Sequence, residues 1–189
     1  MEENFSPQQS LHLIQSMIDK TKENISENRL YFLMWGWTTF IGILLQYVLK
    51  VVVDYNRHYL VWFITIIPMI FSIIKGRKDS RRVRTYIGES MAHLWTGVGI
   101  SFCVLIFLIS NSSQGWLIGY PFFILFYGLG TFISGKILRF KPFIVGGIIN
   151  WVLACIAIRV HFDYQMLCAA AAILISYIIP AYLIKSTAK

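Results

Sequence analysis

Six stretches of this chain are almost wholly apolar: Leu30–Leu49, Tyr59–Ile74, Met91–Ser110, Leu117–Ile133, Phe143–Val160 and Met166–Ile184. No Asp, Glu, Lys or Arg lies near the middle of any of them. A bilayer's hydrocarbon core is about 30 Å thick and takes ~20 mostly apolar residues of helix to cross. The pattern predicts an all-α fold, a polytopic membrane bundle of six transmembrane helices. The second and fourth stretches are on the short side, which flanking aromatics and local bilayer thinning accommodate. Composition agrees. The chain is 57% hydrophobic and 14% charged, with mean hydropathy +0.62, whereas a soluble domain is about half apolar and a quarter charged.

Charge sets the expected orientation. Cytoplasmic loops of membrane proteins carry the excess of Lys and Arg. With the N-terminus inside, Lys20, Lys22, Arg29, Lys75, Arg77, Lys78, Arg81, Arg82, Arg84, Lys136, Arg139, Lys141, Lys185 and Lys189 are cytoplasmic, and only Lys50, Arg57 and Arg159 of the 17 bases lie outside. Both termini are therefore expected in the cytoplasm. Short links between the spans predict three helical hairpins. No short apolar region with a small-residue cleavage site precedes the first span, so that span is expected to act as its own insertion signal. Trp35, Trp37, Trp95 and Trp116, with Tyr31, Tyr59 and Tyr120, fall near span ends, where such rings favour the headgroup level.

Residues 1–29 are polar and expected to form a separate amphipathic cytoplasmic helix before the membrane domain of residues 30–189. Ser6, Pro7 and Gln9 make a helix-start signature. Leu11, Ile14, Ile18 and Ile25 then share one stripe, opposite Asp19, Lys20, Glu23 and Glu27. Its five acids against three bases disfavour a lipid-surface anchor, which is usually basic. Its stripe is expected to pack on the bundle or on a partner protein.

The densest charge, Lys75, Arg77, Lys78, Arg81, Arg82 and Arg84, reads as the topology signal, reinforced by anionic headgroups at ~1 kcal/mol per base. Nucleic-acid binding is not expected, since stacking aromatics do not interleave these charges. Glu89 and His93 stand one helical turn apart, with Ser90 beside them as a further cap. A carboxylate beside an imidazole serves proton transfer or metal binding, but a metal needs more ligands, and an interfacial pair at a helix start is the favoured reading. The outer loops "DYNRHY" and "RVHFDY" bring Asp54, His58, His161 and Asp163 into reach of one another if their hairpins are neighbours. That set would suit pH response or a divalent metal, against the simpler expectation of polar loops.

Inside the spans the absence of ionisable groups disfavours ion-coupled transport. Asn150 is the one strongly polar mid-span side chain, set in the stripe Gly146–Gly147–Asn150–Ala154. Such stripes bring helices close, and an amide there bonds across the contact. Gly97–Ser101, Gly130–Ser134 and Ala172–Ser176 are read in the same way, as packing stripes. Pro68 and Pro180 free backbone carbonyls and mark kinks. Cys103, Cys155 and Cys168 lie in apolar runs without a CxxC or Cys/His cluster, so no zinc site, disulfide framework or other cofactor is expected.

The run "SMIDKTKENISENRLYFLMWGW", Ser16 to Trp37, is similar to the opening of a family of small bacterial integral membrane proteins described only as hypothetical. The resemblance implies a bacterial plasma membrane and carries no catalytic residues. No enzyme activity is expected. The expected function is an interaction or regulatory membrane protein with a cytoplasmic contact face. The alternative is a small facilitator of a neutral or weakly polar solute, routed past Asn150, Pro68 and Pro180.

Overall fold

A computed structural model describes residues 29–79 and 86–184. The amphipathic helix expected over residues 1–29 lies almost wholly outside the described residues, as do Arg81, Arg82 and Arg84. The described residues form six apolar helices and no strand: α1 (Arg29–Val52), α2 (His58–Gly76), α3 (Tyr86–Ser110), α4 (Gly115–Ile137), α5 (Lys141–Ala157) and α6 (Phe162–Leu183). All but α5 are long and apolar enough to cross a membrane, the architecture of a multi-pass membrane protein.

The helix ends depart from the expected spans. The short helix is α5, with 17 residues, not the second or the fourth. It starts at Lys141–Pro142, where a proline in the first turn gives up no needed N–H. At 1.5 Å per residue it is about 26 Å long, and Lys141 and Arg159 flank it. The region expected as a loop from Lys75 to Ser90 is helical at both ends, because α2 winds on to Asp79 and α3 has begun by Tyr86. Arg and Lys are good helix formers, so polarity alone does not stop a helix there. Ser90 therefore lies inside α3 and caps nothing.

The helices form two layers. About half of the most apolar window of α4 and of α6 is buried, against 28% for α1, 17% for α3 and 6% for α2. Thus α4, α5 and α6 are the centre, α1 and α3 flank it, and α2 rides on the outside against α1. Small residues let the central helices close. A Cβ on Gly147 of α5 would stand 2.6 Å from Phe132 Cβ and 2.8 Å from the Gly128 carbonyl oxygen of α4. On the other side of α5, a Cβ on Gly146 would stand 2.7 Å from Ser176 Cα of α6. Contacts this short leave room for hydrogen and nothing more.

Pro68 and Pro180 both sit where the winding changes. The first turns of α2 are 3₁₀ from His58 to Thr65, and α-helix resumes at Ile66, two residues before Pro68. In α6 a π turn, Leu174–Ile178, precedes the α-helical turn that holds Pro180. A proline lacks the N–H that the carbonyl four residues back would take and clashes with that carbonyl. Tightening before Pro68 and widening before Pro180 absorb the mismatch, so each proline falls in the opening turn of a resumed helix.

Candidate functional site

The most connected polar site lies where the α1–α2 and α5–α6 turns meet. Gln46, 5% exposed, is its centre. Its Oε1 accepts the Trp62 indole N–H at 2.7 Å and the Tyr120 hydroxyl at 2.7 Å. Its Nε2 faces His58 Nδ1 at 3.2 Å. One amide thus joins α1, α2 and α4, and all of its partners come from other helices or from the turn at the head of α2. A buried polar group costs little only when satisfied in this way.

Beside it, Lys50 at the end of α1 pairs with Asp163 in the first turn of α6. The Lys50 ammonium also stands 4.8 Å over the Phe162 ring. His161 Nδ1 approaches the other carboxylate oxygen of Asp163 at 3.3 Å, and Lys50 and Asp163 both act electrostatically on His58. Of the four outer-loop residues singled out in the sequence, His161 and Asp163 are therefore in contact, and His58 stands within electrostatic reach of Asp163. Asp54 does not join them: it is exposed and holds the left-handed backbone of the α1–α2 turn, with φ 53°. Among the described residues no three His, Cys, Asp or Glu side chains group closely enough for a metal ion. The sequence reading passed over Gln46, Lys50 and Trp62, which organise the site. Its one visible signal was an amide and a base one turn apart in an apolar span.

The centre of the bundle is polar too, but closed. Asn150 is fully buried, and neither its Oδ1 nor its Nδ2 has a hydrogen-bond partner among the described residues. Its neighbours press in, since a Cβ on Gly128 would lie 2.8 Å from Asn150 Cβ. Thr131, Ser134 and Ser176 are fully buried, and their hydroxyls bond the carbonyls one turn back, of Tyr127, Gly130 and Ala172. Tyr127 and Tyr177 are buried beside them. Their rings lie 5.1 Å apart, and that of Trp95 lies 5.7 Å from Tyr127 and 5.6 Å from Tyr177. The stripes Gly146–Gly147–Asn150–Ala154, Gly130–Ser134 and Ala172–Ser176 are buried, as packing requires.

Gly97–Ser101 is a correction. A Cβ on Gly97 would meet nothing within 4 Å, and Ser101 bonds only its own helix at the Gly97 carbonyl. Gly97 lies on the outward side of α3, so among the described residues it brings no neighbouring helix close. Glu89 and His93 are both exposed on the opening turns of α3 and form no ion pair with each other. Besides Trp62, three tryptophans act as donors between helices: Trp35 to Ser72, Trp37 to Tyr182, and Trp95 to Ser134. At the opposite end of the bundle from the Gln46 site, Lys75 lies over the Tyr31 ring and Lys136 over Phe132.

Compared with models of known protein families, with curated proteins and with solved structures, the chain matches none.

Proposed function

We propose that this chain is a bacterial plasma-membrane protein, with both termini in the cytoplasm, that works as an interaction or regulatory protein. Its contact face is the cytoplasmic one, built from residues 1–29 and the basic segment Lys75–Arg84, where anionic headgroups and a partner protein meet it. The closed interior carries the reading. The crossing of α4, α5 and α6 is sealed by backbone contacts at Gly128, Gly146 and Gly147, and the hydroxyls there are held by their own helices. A facilitator needs a polar route in that position. With α5, about 26 Å long, taken as a sixth crossing beside the five longer helices, the chain returns to its starting side, in keeping with the charge bias.

The test is deletion of residues 1–25 in the cell of origin. Loss of partner capture with normal membrane insertion is expected. If insertion, abundance and every captured partner are unchanged, the proposal fails. Reporter fusions at residues 80 and 189 check the orientation, and both should read as cytoplasmic.

The facilitator is the second reading, favoured by one observation, the two unpartnered amide atoms of Asn150. It predicts that Asn150 lines a path for a small polar solute.

A further inference from the structure

Gln46 has only one way to sit. An indole N–H donates and never accepts, so the amide atom facing Trp62 is the oxygen. The Tyr120 hydroxyl, which can donate, then donates to the same oxygen from α4. The nitrogen Nε2, a donor, is therefore the atom that faces His58 Nδ1 at 3.2 Å. A donor needs a lone pair opposite it. His58 must then be a neutral imidazole with its proton on Nε2, a tautomer set here by the partners.

The geometry points to an acid-sensitive latch: protonation of His58 breaks its bond to Gln46 and frees the first turn of α2 from α1, as far as Trp62, whose own bond to Gln46 remains. A proton on Nδ1 sets two N–H groups against each other. Gln46 cannot turn over to offer its oxygen, because that would aim its NH₂ at the Trp62 N–H. The groups facing His58 are Gln46 and Lys50 from α1, Asp163 from α6, Tyr59 beside it on α2 with rings 6.2 Å apart, and Tyr120 of α4 through Gln46. Lys50 opposes a second positive charge. Asp163 favours one, but it is held by Lys50 and approached by His161, so it does not replace the lost acceptor.

The element released is the one the fold holds least. Only 6% of the α2 window is buried, and its first eight residues are 3₁₀, a winding with poorer hydrogen bonds that often marks a hinge. Beyond His58, α2 is fastened by the Trp62–Gln46 bond one turn on, and by the Trp35–Ser72 bond and Lys75 over Tyr31 near its other end. Opening at His58 therefore unfastens the first turn of α2, with Trp62 as the pivot, rather than detaching the helix. The residue is half-buried at the start of a span, within reach of protons from the aqueous phase on that side.

The full chain in lipid nanodiscs, labelled with ¹⁵N-histidine, tests this. At about pH 8 the His58 signal, assigned by its loss in His58→Asn, should show the Nε2–H tautomer. Hydrogen exchange across His58–Trp62, corrected for intrinsic rates, should lose roughly tenfold in protection on acidification to about pH 5, the weight of one hydrogen bond. His58→Asn, whose Oδ1 stands in for Nδ1, should stay protected at both pH values, and His58→Leu should be unprotected at both. His161→Gln should keep the wild-type response. An Nδ1–H tautomer at the higher pH, an acid response that persists in His58→Asn, or one abolished by His161→Gln would overturn the latch. If His58→Leu does not fold, the tautomer and His58→Asn still decide.

Discussion

Replacing Gly147 by Ala tests the central crossing. The added methyl group would arrive 2.6 Å from Phe132 Cβ, 2.8 Å from Phe132 N and 2.8 Å from the Gly128 carbonyl oxygen. Two of these are backbone atoms that cannot rotate away. Relief to an ordinary contact near 3.6 Å requires α4 and α5 to part by about 1 Å, which also strips contact from the close-packed faces beside them. Overpacking of this kind costs about 1–3 kcal/mol, and the upper end applies where backbone is struck. Alanine returns up to ~1 kcal/mol in helix propensity. The net loss is then about 2 kcal/mol, roughly a thirtyfold fall in the folded-to-unfolded ratio. Gly97→Ala is the matched control. It makes the same chemical change in α3, where the methyl group meets nothing within 4 Å, so only the propensity gain of up to ~1 kcal/mol is expected. Denaturant unfolding in mild detergent micelles, followed by tryptophan fluorescence, compares the two. Opposite signs are predicted. Equal stabilities, or a Gly147→Ala protein as stable as wild type, would refute the close crossing.

Three further outcomes follow from the polar groups. Asn150→Leu, which keeps the branched shape and removes two buried unpartnered atoms, should leave stability unchanged or raise it by about 1 kcal/mol; a loss above ~2 kcal/mol in the same assay would mean the amide has partners. Gln46→Leu strands the Trp62 N–H and the Tyr120 hydroxyl, so a loss of about 2–4 kcal/mol is expected, most of it recovered when Trp62→Phe and Tyr120→Phe are added. A double-mutant cycle on Lys50→Met and Asp163→Asn should give a coupling of about 0.5–1 kcal/mol that shrinks with salt, because both side chains keep a quarter or more of their surface exposed.

The number and order of the helices were legible in the apolar runs, because bilayer thickness imposes one length on every span. The ends were less so. The stretch from Arg77 to Arg84 is polar enough to suggest a loop, yet it contains no Gly or Pro to stop a helix; α2 runs into it as far as Asp79, and α3 has begun just past it at Tyr86. Small-residue stripes were visible but not their partners. Gly130 and Gly97 look alike in sequence, and only the packing shows Trp95 on one and open space at the other. Gln46 was hidden for a different reason. Its partners stand 12, 16 and 74 residues away, so the local pairing of Gln46 with Lys50 shows nothing of what the amide joins. Of the outer-loop group, the pairing of like compositions located His58, His161 and Asp163, while Asp54 was polar for the sake of its turn.

The closed centre of the bundle is what separates a contact protein from a conduit, and aqueous access to residue 150 tests it most directly. In a background with Cys103, Cys155 and Cys168 replaced by Ala, Asn150→Cys is exposed in sealed vesicles of both orientations to a charged, membrane-impermeant thiol reagent. The packed crossing predicts no labelling from either side until the protein is unfolded in detergent. Ready labelling of the folded protein from either side would show a water-filled path through α4, α5 and α6, and would give the facilitator the stronger claim.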